Sequence, residues 1–304
     1  MARPLVYVLI LNWNSYGYAV RCIESLQVLD YPNYRIVIID NASVDSSEQI
    51  LRAHFPELPF IQTGANLGYA GGNNRGIAYA LTQGAEYIWL LNVDTYVDRR
   101  ALSTLVEAME ANVRVGLAGS KIYYMEPPER ICYAGGCVNF WLGITFHRGD
   151  SETDTGQYDQ PAQVDFVTGS SLMVRSSVIK QVGPLIESYF LYFEDVEWSL
   201  RIHKAGFELL FVPDSVVWHK EGGTSGGRTN PDVIYYGIRN NLYLIERHFP
   251  VPQRLMAGLR LVLSNVRFLL RNTANTQYRS AVLQAGWDYI RRVTGQRTKP
   301  STDV

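Results

Sequence analysis

Over the first 120 residues the chain alternates short apolar runs with amphipathic stretches. Residues 5–11, 35–39, 60–62, 86–91 and 115–120 are strand-like. The longer runs are apolar without alternation, as expected of strands buried on both faces. Between them, 16–28, 46–54, 69–83 and 99–111 carry helical spacing, for example Ala19, Val20, Ile23 and Leu26. Strand–helix alternation of this kind predicts an α/β fold, a Rossmann-like doubly wound, mostly parallel sheet with helices on both faces. Polar residues stand where the strands end, at Asn12/Asn14, Asp40/Asn41 and Asn92/Asp94. Open α/β sheets bind ligands at those carboxyl ends.

The pattern then loosens. Residues 126–160 hold several turn signals and read as an excursion with short hairpins. Beyond it, 165–175 reads as a strand, 194–205 as a helix, and 208–212 and 216–219 as two strands separated by a polar turn. Residues 221–231 are glycine-rich and read as a loop, a lid only if its neighbours are catalytic. After Pro250 the spacing is helical over 252–271 and 276–293, followed by a polar tail. Two domains are expected: a catalytic domain over 1–250 and a basic amphipathic helical extension over 251–304.

Composition adds exclusions. Hydrophobic residues are 47 % of the 304 and charged residues 19 %, which rules out wholesale disorder. A formal net charge of −1 argues against a globally basic nucleic-acid binder, so no nucleic-acid partner is expected. Three cysteines (Cys22, Cys132 and Cys137) form neither a disulfide framework nor a zinc spacing, so a reducing, cytoplasmic setting is the default. No apolar run reaches the ~18 residues of a transmembrane helix, and the N-terminal run is too short for a signal peptide.

Several polar groups suit particular chemistry. Asp94, directly after a strand, can hold Mg²⁺ or Mn²⁺, which take one or two carboxylates plus phosphate oxygens; it can equally cap the following helix. Asp40, Asn41 and Ser43 can read a nucleobase and ribose, or simply shape a strand–turn–helix connection. Four glycines, Gly68, Gly71, Gly72 and Gly76, weaken a helix start by about 1 kcal/mol each relative to Ala, and imply close approach to a ligand or to another helix. The order is neither Gly-X-Gly-X-X-Gly nor a Walker loop, which disfavours dehydrogenase and P-loop readings. Glu194, Asp195 and Glu197 open a helix, whose N-terminus favours negative charge; one of them can be a general base. Trp198 can stack on a sugar or sit in the core. His219 ends an apolar stretch and is either a structural histidine or a metal ligand.

In this order the segments Leu9-Ile10-Leu11-Asn12-Trp13-Asn14, Ile39-Asp40-Asn41-Ala42-Ser43-Val44-Asp45, Asn66-Leu67-Gly68-Tyr69-Ala70-Gly71-Gly72-Asn73, Leu90-Leu91-Asn92-Val93-Asp94, Thr168-Gly169-Ser170-Ser171, Glu194-Asp195-Val196-Glu197 and Trp218-His219 resemble the inverting glycosyltransferases of family 2, with a GT-A fold. Bacterial rhamnosyltransferase-like members are the most similar, and the resemblance covers about residues 5–250. It implies Asp195 as catalytic base. It implies Asp40 at the base of a dTDP- or UDP-sugar donor, with Asn12, Asn14, Asn41, Asn66, Gly71 and Asn92 lining the donor pocket. Asp94 and His219 would hold Mg²⁺ or Mn²⁺, and Glu194 and Trp198 would border the acceptor. Asn92 replaces the first Asp of the family's Asp-X-Asp and brings no charge. The implied reaction transfers a sugar, L-rhamnose from dTDP-rhamnose foremost, to a lipid-linked or glycan acceptor in cell-surface polysaccharide synthesis. A UDP-hexose or UDP-N-acetylhexosamine donor fits the same motifs. A sugar nucleotidyltransferase would need a Gly-rich basic loop where Asn12-Trp13-Asn14-Ser15-Tyr16 stands, and a non-catalytic derivative would not need Asp94, Asp195 and His219 together.

On a helical wheel of 252–271, Leu255, Met256, Leu259, Val262, Leu263, Val266, Leu269 and Leu270 fall on one arc of about 140°, with Arg260, Arg267 and Arg271 beside it and Leu261 and Phe268 beyond them. Such a helix either packs on the domain or lies in a membrane interface. Residues 1–250 hold 19 basic and 27 acidic side chains, a balance of −8; residues 251–304 hold 9 and 2, a balance of +7. The bland total is a cancellation, and membrane contact through 252–293 is the expectation, at the inner face of the plasma membrane.

Overall fold

The computed structural model describes residues 3–220, 230–271 and 275–298. The chain runs β1 (Val6–Asn12), α1 (Tyr16–Leu26), β2 (Tyr34–Asp40), α2 (Ser47–His54), β3 (Phe60–Gln62), α3 (Gly68–Thr82), β4 (Tyr87–Asn92), β5 (Thr95–Val97), α4 (Ala101–Ala111) and β6 (Val115–Tyr124). It continues through β7 (Ile131–Tyr133), β8 (Gly136–Asn139), β9 (Ile144–His147), β10 (Ala162–Gln163), β11 (Ser171–Arg175), α5 (Ser176–Val182), α6 (Glu194–Lys204) and β12 (Glu208–His219). Three helices close the described chain: α7 (Pro231–His248), α8 (Val251–Arg271) and α9 (Thr276–Ile290).

The main sheet has the order β10-β12-β6-β11-β4-β1-β2-β3. β1, β2, β3 and β4 pair in parallel, as do β6 and β12, and β11 lies antiparallel between β4 and β6. Successive residues of β1 feed opposite cores: Val6, Val8 and Ile10 meet α1 and α4, while Tyr7 and Leu9 meet α3 and α6. This is the expected mostly parallel sheet, with helices on both faces. Because β2 and β4 flank β1 on opposite sides, a crevice opens outside the strands' carboxyl ends.

The glycines of α3 let it approach the sheet. A Cβ on Gly72 would stand 2.5 Å from Leu11, and one on Gly76 would stand 2.6 Å from Ile39. Gly68 has φ +69°, and a Cβ there would overlap the Phe190 carbonyl oxygen. Gly71, expected at the donor, is buried in α3, where an added Cβ would stand 2.7 Å from Leu67.

Three elements differ from the sequence pattern. The strand expected over 165–175 starts only at Ser171, because 168–170 forms a loop at the site. The two strands expected over 208–219 are one, β12, with a register shift between Val212 and Val216 that absorbs the polar turn. α7 has no counterpart in the hydrophobic pattern, because Arg239, Asn240 and Asn241 occupy buried positions. α9 packs on α7 through Tyr235, Tyr236, Ala281 and Ala285, and Asp288 accepts a 2.7 Å hydrogen bond from the Tyr235 hydroxyl. No helix among the described residues is long and apolar enough to cross a membrane. The glycine-rich stretch expected as a loop lies, over 221–229, outside the described residues.

Candidate active site

At the carboxyl ends of β1 and β2, Asn12 and Asp40 are fully buried. Asp40 accepts from Asn12 Nδ2 at 2.9 Å, from the Ser43 hydroxyl at 2.6 Å and amide at 3.0 Å, and from Gln62 Nε2 at 2.9 Å. Both of its oxygens are therefore satisfied from within. With these bonds Asp40 fixes the turn 41–45 at the edge of the expected donor pocket. Asn14, at φ 50°, extends the same turn by accepting from the Val44 amide at 2.8 Å and stays partly exposed. Asn41 ties this turn to the start of α3, donating to Asn66 Oδ1 at 3.1 Å and to the Gly68 carbonyl at 3.0 Å. Asn66 then accepts from the Gly68 amide at 2.9 Å.

β4 ends at Asn92, two residues before Asp94, and β12 ends at His219. The antiparallel pairing of β5 with β12 sets His219 opposite Thr95, the residue after Asp94. His219 Nε2 stands 3.1 Å from Asp94 Oδ1 and 3.3 Å from Asn92 Nδ2. Asp94 is 2 % exposed and His219 9 %. Two ligands each about 2.1 Å from an octahedral ion lie about 3 Å apart, so this carboxylate–imidazole pair fits a Mg²⁺- or Mn²⁺-class ion, with other ligands left to a substrate and water. Among the described residues no third His, Cys, Asp or Glu joins the pair. A cavity of about 610 Å³ opens beside it, bordered by Tyr18, Arg21, Tyr124 and Lys220. The Lys220 ammonium lies 5.3 Å from the Tyr18 ring centroid. Arg21 and Lys220 also border a second cavity that reaches Asn14 and Asp45. Sequence reasoning passed over both cations; Lys220, next to His219, was the readable one.

Asp195 opens α6. Its Oδ2 accepts from the Gly169 amide at 2.8 Å and its Oδ1 from the Val196 amide at 2.8 Å, which fixes the carboxylate plane. Burial nevertheless raises its pKa, and raises that of neighbouring Glu194 much further, with the Asp195 charge adding to the effect. Glu194 Oε2 is buried without a partner, as suits a carboxyl that keeps its proton. Glu194 thus sits beside Asp195, but enclosed. Trp198, expected as a stacking surface for the acceptor, is fully buried and donates from Nε1 to the Gly183 carbonyl at 2.9 Å; it is core. His147, from β9, contributes a favourable charge interaction to Asp195.

The two halves meet through loop 168–170. Gly169 holds Asp195, and the Ser170 carbonyl accepts from the Asn92 amide at 3.2 Å. The strap before Asp195 has positive φ at Phe190, Tyr192 and Phe193. α7 holds it: Asn240 Nδ2 is shared among the carbonyls of Tyr189, Leu191 and Tyr192 at 2.8–2.9 Å, and fully buried Arg239 donates to the Tyr189 carbonyl at 3.2 Å. Neither residue stood out in the sequence, where an Arg-Asn pair within a helix reads as surface.

The family model described as Glycosyl transferase family 2 matches residues 7–183. The chain is 28 % identical over 245 residues to the N-acetylglucosaminyl-diphospho-decaprenol L-rhamnosyltransferase of Mycobacterium tuberculosis, covering 75 % of this chain and 80 % of that one. It is 27 % identical over 221 residues to Rhamnosyltransferase WbbL of Escherichia coli K12, covering 69 % and 81 %. Among solved structures, S. aureus TarS 1–349 in complex with UDP-GlcNAc superposes with a TM-score of 0.62 at 16 % identity, covering 95 % of this chain and 81 % of that one. The mannosyltransferase PcManGT of Pyrobaculum calidifontis, in complex with GDP-Man and Mn²⁺, gives 0.59 at 14 %, covering 95 % and 88 %. At such identities the structures speak for the fold, and the fold is that of GT-A glycosyltransferases.

Proposed function

The chain belongs to glycosyl transferase family 2, and on that premise we propose that it transfers L-rhamnose from dTDP-rhamnose, with inversion, to a lipid-linked acceptor in cell-surface polysaccharide synthesis. The observation that carries this reading is loop 168–170, which joins the Asn92–Asp94/His219 corner to Asp195: the Ser170 carbonyl accepts from the Asn92 amide, and the Gly169 amide donates to the Asp195 carboxylate. A site for an anionic leaving group and a site for a proton acceptor thus share one short segment. The names of the rhamnosyltransferase relatives support the choice of sugar and acceptor class.

The donor lies across the carboxyl ends of β1, β2 and β4, along the edge made by Asn14 and the Asn41–Asn66 stitch. Its diphosphate faces Arg21 and Lys220. Asp94 and His219 would hold a divalent cation, which when bound neutralises charge growing on the departing nucleoside diphosphate. Asp195 takes the proton from the acceptor hydroxyl as that oxygen bonds to the anomeric carbon and the carbon–phosphate-oxygen bond breaks on the opposite face. The two amide bonds on Asp195 keep its acceptor lone pair aimed before substrate arrives, which is orientation paid in advance of the reaction. The reaction is placed at the inner face of the plasma membrane, where the protein is peripheral.

Thermal shift of the full chain with dTDP-rhamnose, UDP-glucose and UDP-N-acetylglucosamine, each with Mn²⁺ or Mg²⁺, tests the donor, because a ligand of the native state raises apparent stability. The largest shift belongs to dTDP-rhamnose with metal. A larger shift with a UDP-sugar rejects rhamnose.

A further inference from the structure

An amphipathic helix packed on a domain normally buries its apolar arc. α8 does the reverse. Its contacts with the body run through Ala257 and Leu261, both buried, while Leu255, Leu259, Val262, Leu263, Val266 and Leu270 are 48–72 % exposed. At 100° per residue the exposed six span about 100°, and the buried two lie on the opposite side of the helix. Arg267 and Arg271, both exposed, line one edge of the apolar stripe. The helix is anchored from behind: Arg260 donates to the Leu142 carbonyl at 3.0 Å, and a Cβ on Gly143 would stand 2.9 Å from Ala257.

That anchor is the turn of the β8–β9 hairpin. At the turn Trp141 is 55 % exposed and Leu142 42 %. The strand leaving it, β9, is four residues, about 10 Å, and ends at His147, whose ring lies edge-on to Tyr133 at 5.0 Å; the Tyr133 hydroxyl donates to the Phe166 carbonyl at 2.9 Å, three residues before Gly169. One hairpin therefore connects the outward apolar helix to the acceptor side of the site.

We propose that the outer stripe of α8, together with Trp141 and Leu142, is a docking surface for an anionic lipid bilayer, which brings a membrane-embedded acceptor to the β8–β9 side of Asp195. Apolar area facing outward, arginines along its edge and an aromatic at its rim are what the interfacial zone of a bilayer accommodates. Charge selects this occupant over a second copy of the chain: residues 251–304 carry +7, so two such faces repel each other, whereas an anionic leaflet attracts one. The inference rests on the proposed lipid-linked acceptor, and the following experiment separates the two.

The full chain is floated at low salt with vesicles of phosphatidylcholine, or of equal parts phosphatidylcholine and phosphatidylglycerol. The wild type floats with the mixed vesicles and less with the neutral ones. The double variant Leu259→Glu/Val266→Glu loses about tenfold or more of its partitioning, while its circular dichroism and its donor-induced thermal shift stay unchanged. Arg267→Gln/Arg271→Gln loses the preference for anionic vesicles. A wild type that stays at the bottom of the gradient overturns the proposal, as does a lipid-free dimer in sedimentation velocity that the double variant dissolves. Flotation without any donor shift keeps the docking surface and removes the transfer reading; a donor shift without flotation does the opposite.

Discussion

The Gly169 amide donates to Asp195 Oδ2 at 2.8 Å, so the carboxylate proposed as proton acceptor is held by a loop rather than by a charged side chain. Among the described residues its hydrogen bonds come from the backbone amides of Gly169 and Val196, and burial is the main cause of its raised pKa. A carboxylate left basic in this way is better at removing a hydroxyl proton than one neutralised by an arginine.

Asp195→Asn is expected to fold and to keep its donor-induced thermal shift, but to lose transfer by about 10²–10⁴-fold. In the wild type, kcat/KM rises with pH along a limb set above the ordinary aspartate range, because the base works only once deprotonated. Single-turnover transfer across pH checks both. Near-wild-type turnover in the variant would remove Asp195 as the base.

Glu194 holds its proton in the folded chain at pH values where the unfolded chain has released it. The folded state then binds more protons than the unfolded one, so this group's stabilisation is present at low pH and is lost as pH rises from the ordinary glutamate range towards the raised native value. Glu194→Gln, which mimics the protonated form, should flatten that decline. Melting temperatures of wild type and variant diverge with increasing pH, the variant being the more stable on the alkaline side; parallel curves would show that Glu194 ionises normally.

His219→Ala removes one of the two candidate ligands. The Mn²⁺ concentration giving half-maximal donor-induced stabilisation should rise about tenfold or more, since Asp94 is then the one ligand left of the pair. Isothermal titration with metal, donor present and absent, reads this, and an unchanged requirement would return His219 to a structural role.

Asn240→Ala takes a donor from three carbonyls of the strap before Asp195, of which that of Tyr189 keeps Arg239. Leaving such groups unsatisfied destabilises by about 1–3 kcal/mol, measurable by urea unfolding. If the pair Arg239–Asn240 positions Asp195, kcat falls while KM for the donor is retained. A variant with the stability loss alone would make the contact merely structural. Gly68→Ala strikes the same strap from the other side, at a positive φ and against the Phe190 carbonyl, and should be destabilising although alanine favours helix by about 1 kcal/mol elsewhere.

The strands that carry the donor side were legible because burial on both faces writes itself as an apolar run: β1, β2 and β4 lie within a residue or two of where the pattern puts them. Their polar terminal residues marked the crevice for the same reason. What the pattern could not carry was polar burial. Arg239 and Asn240 face inward because the strap's carbonyls need donors, and that need arises only once the strap is folded. Asn230 followed by Pro231 was a readable helix start, and Asn230 does cap α7 by accepting from the Asp232 amide. Trp198 is a residue type that serves ligands, enclosed here by its own neighbours. For α8 the periodicity revealed the apolar arc but not the side that faces the protein, since amphipathicity is blind to what covers it.

β6 and β11 are antiparallel neighbours in the sheet, so everything from residue 125 to residue 170 is, topologically, the loop of one wide hairpin. Both its ends are pinned by ladder hydrogen bonds, and within it β7 pairs with β6 and β10 with β12, so the free length lies between them, over residues 134–161. That inner stretch can be lengthened, shortened or exchanged during evolution while the donor corner, loop 168–170 and Asp195 keep their places. Divergence in what such enzymes glycosylate should therefore concentrate in this one stretch of chain, and lineages that share a donor can acquire new acceptors by rewriting it alone.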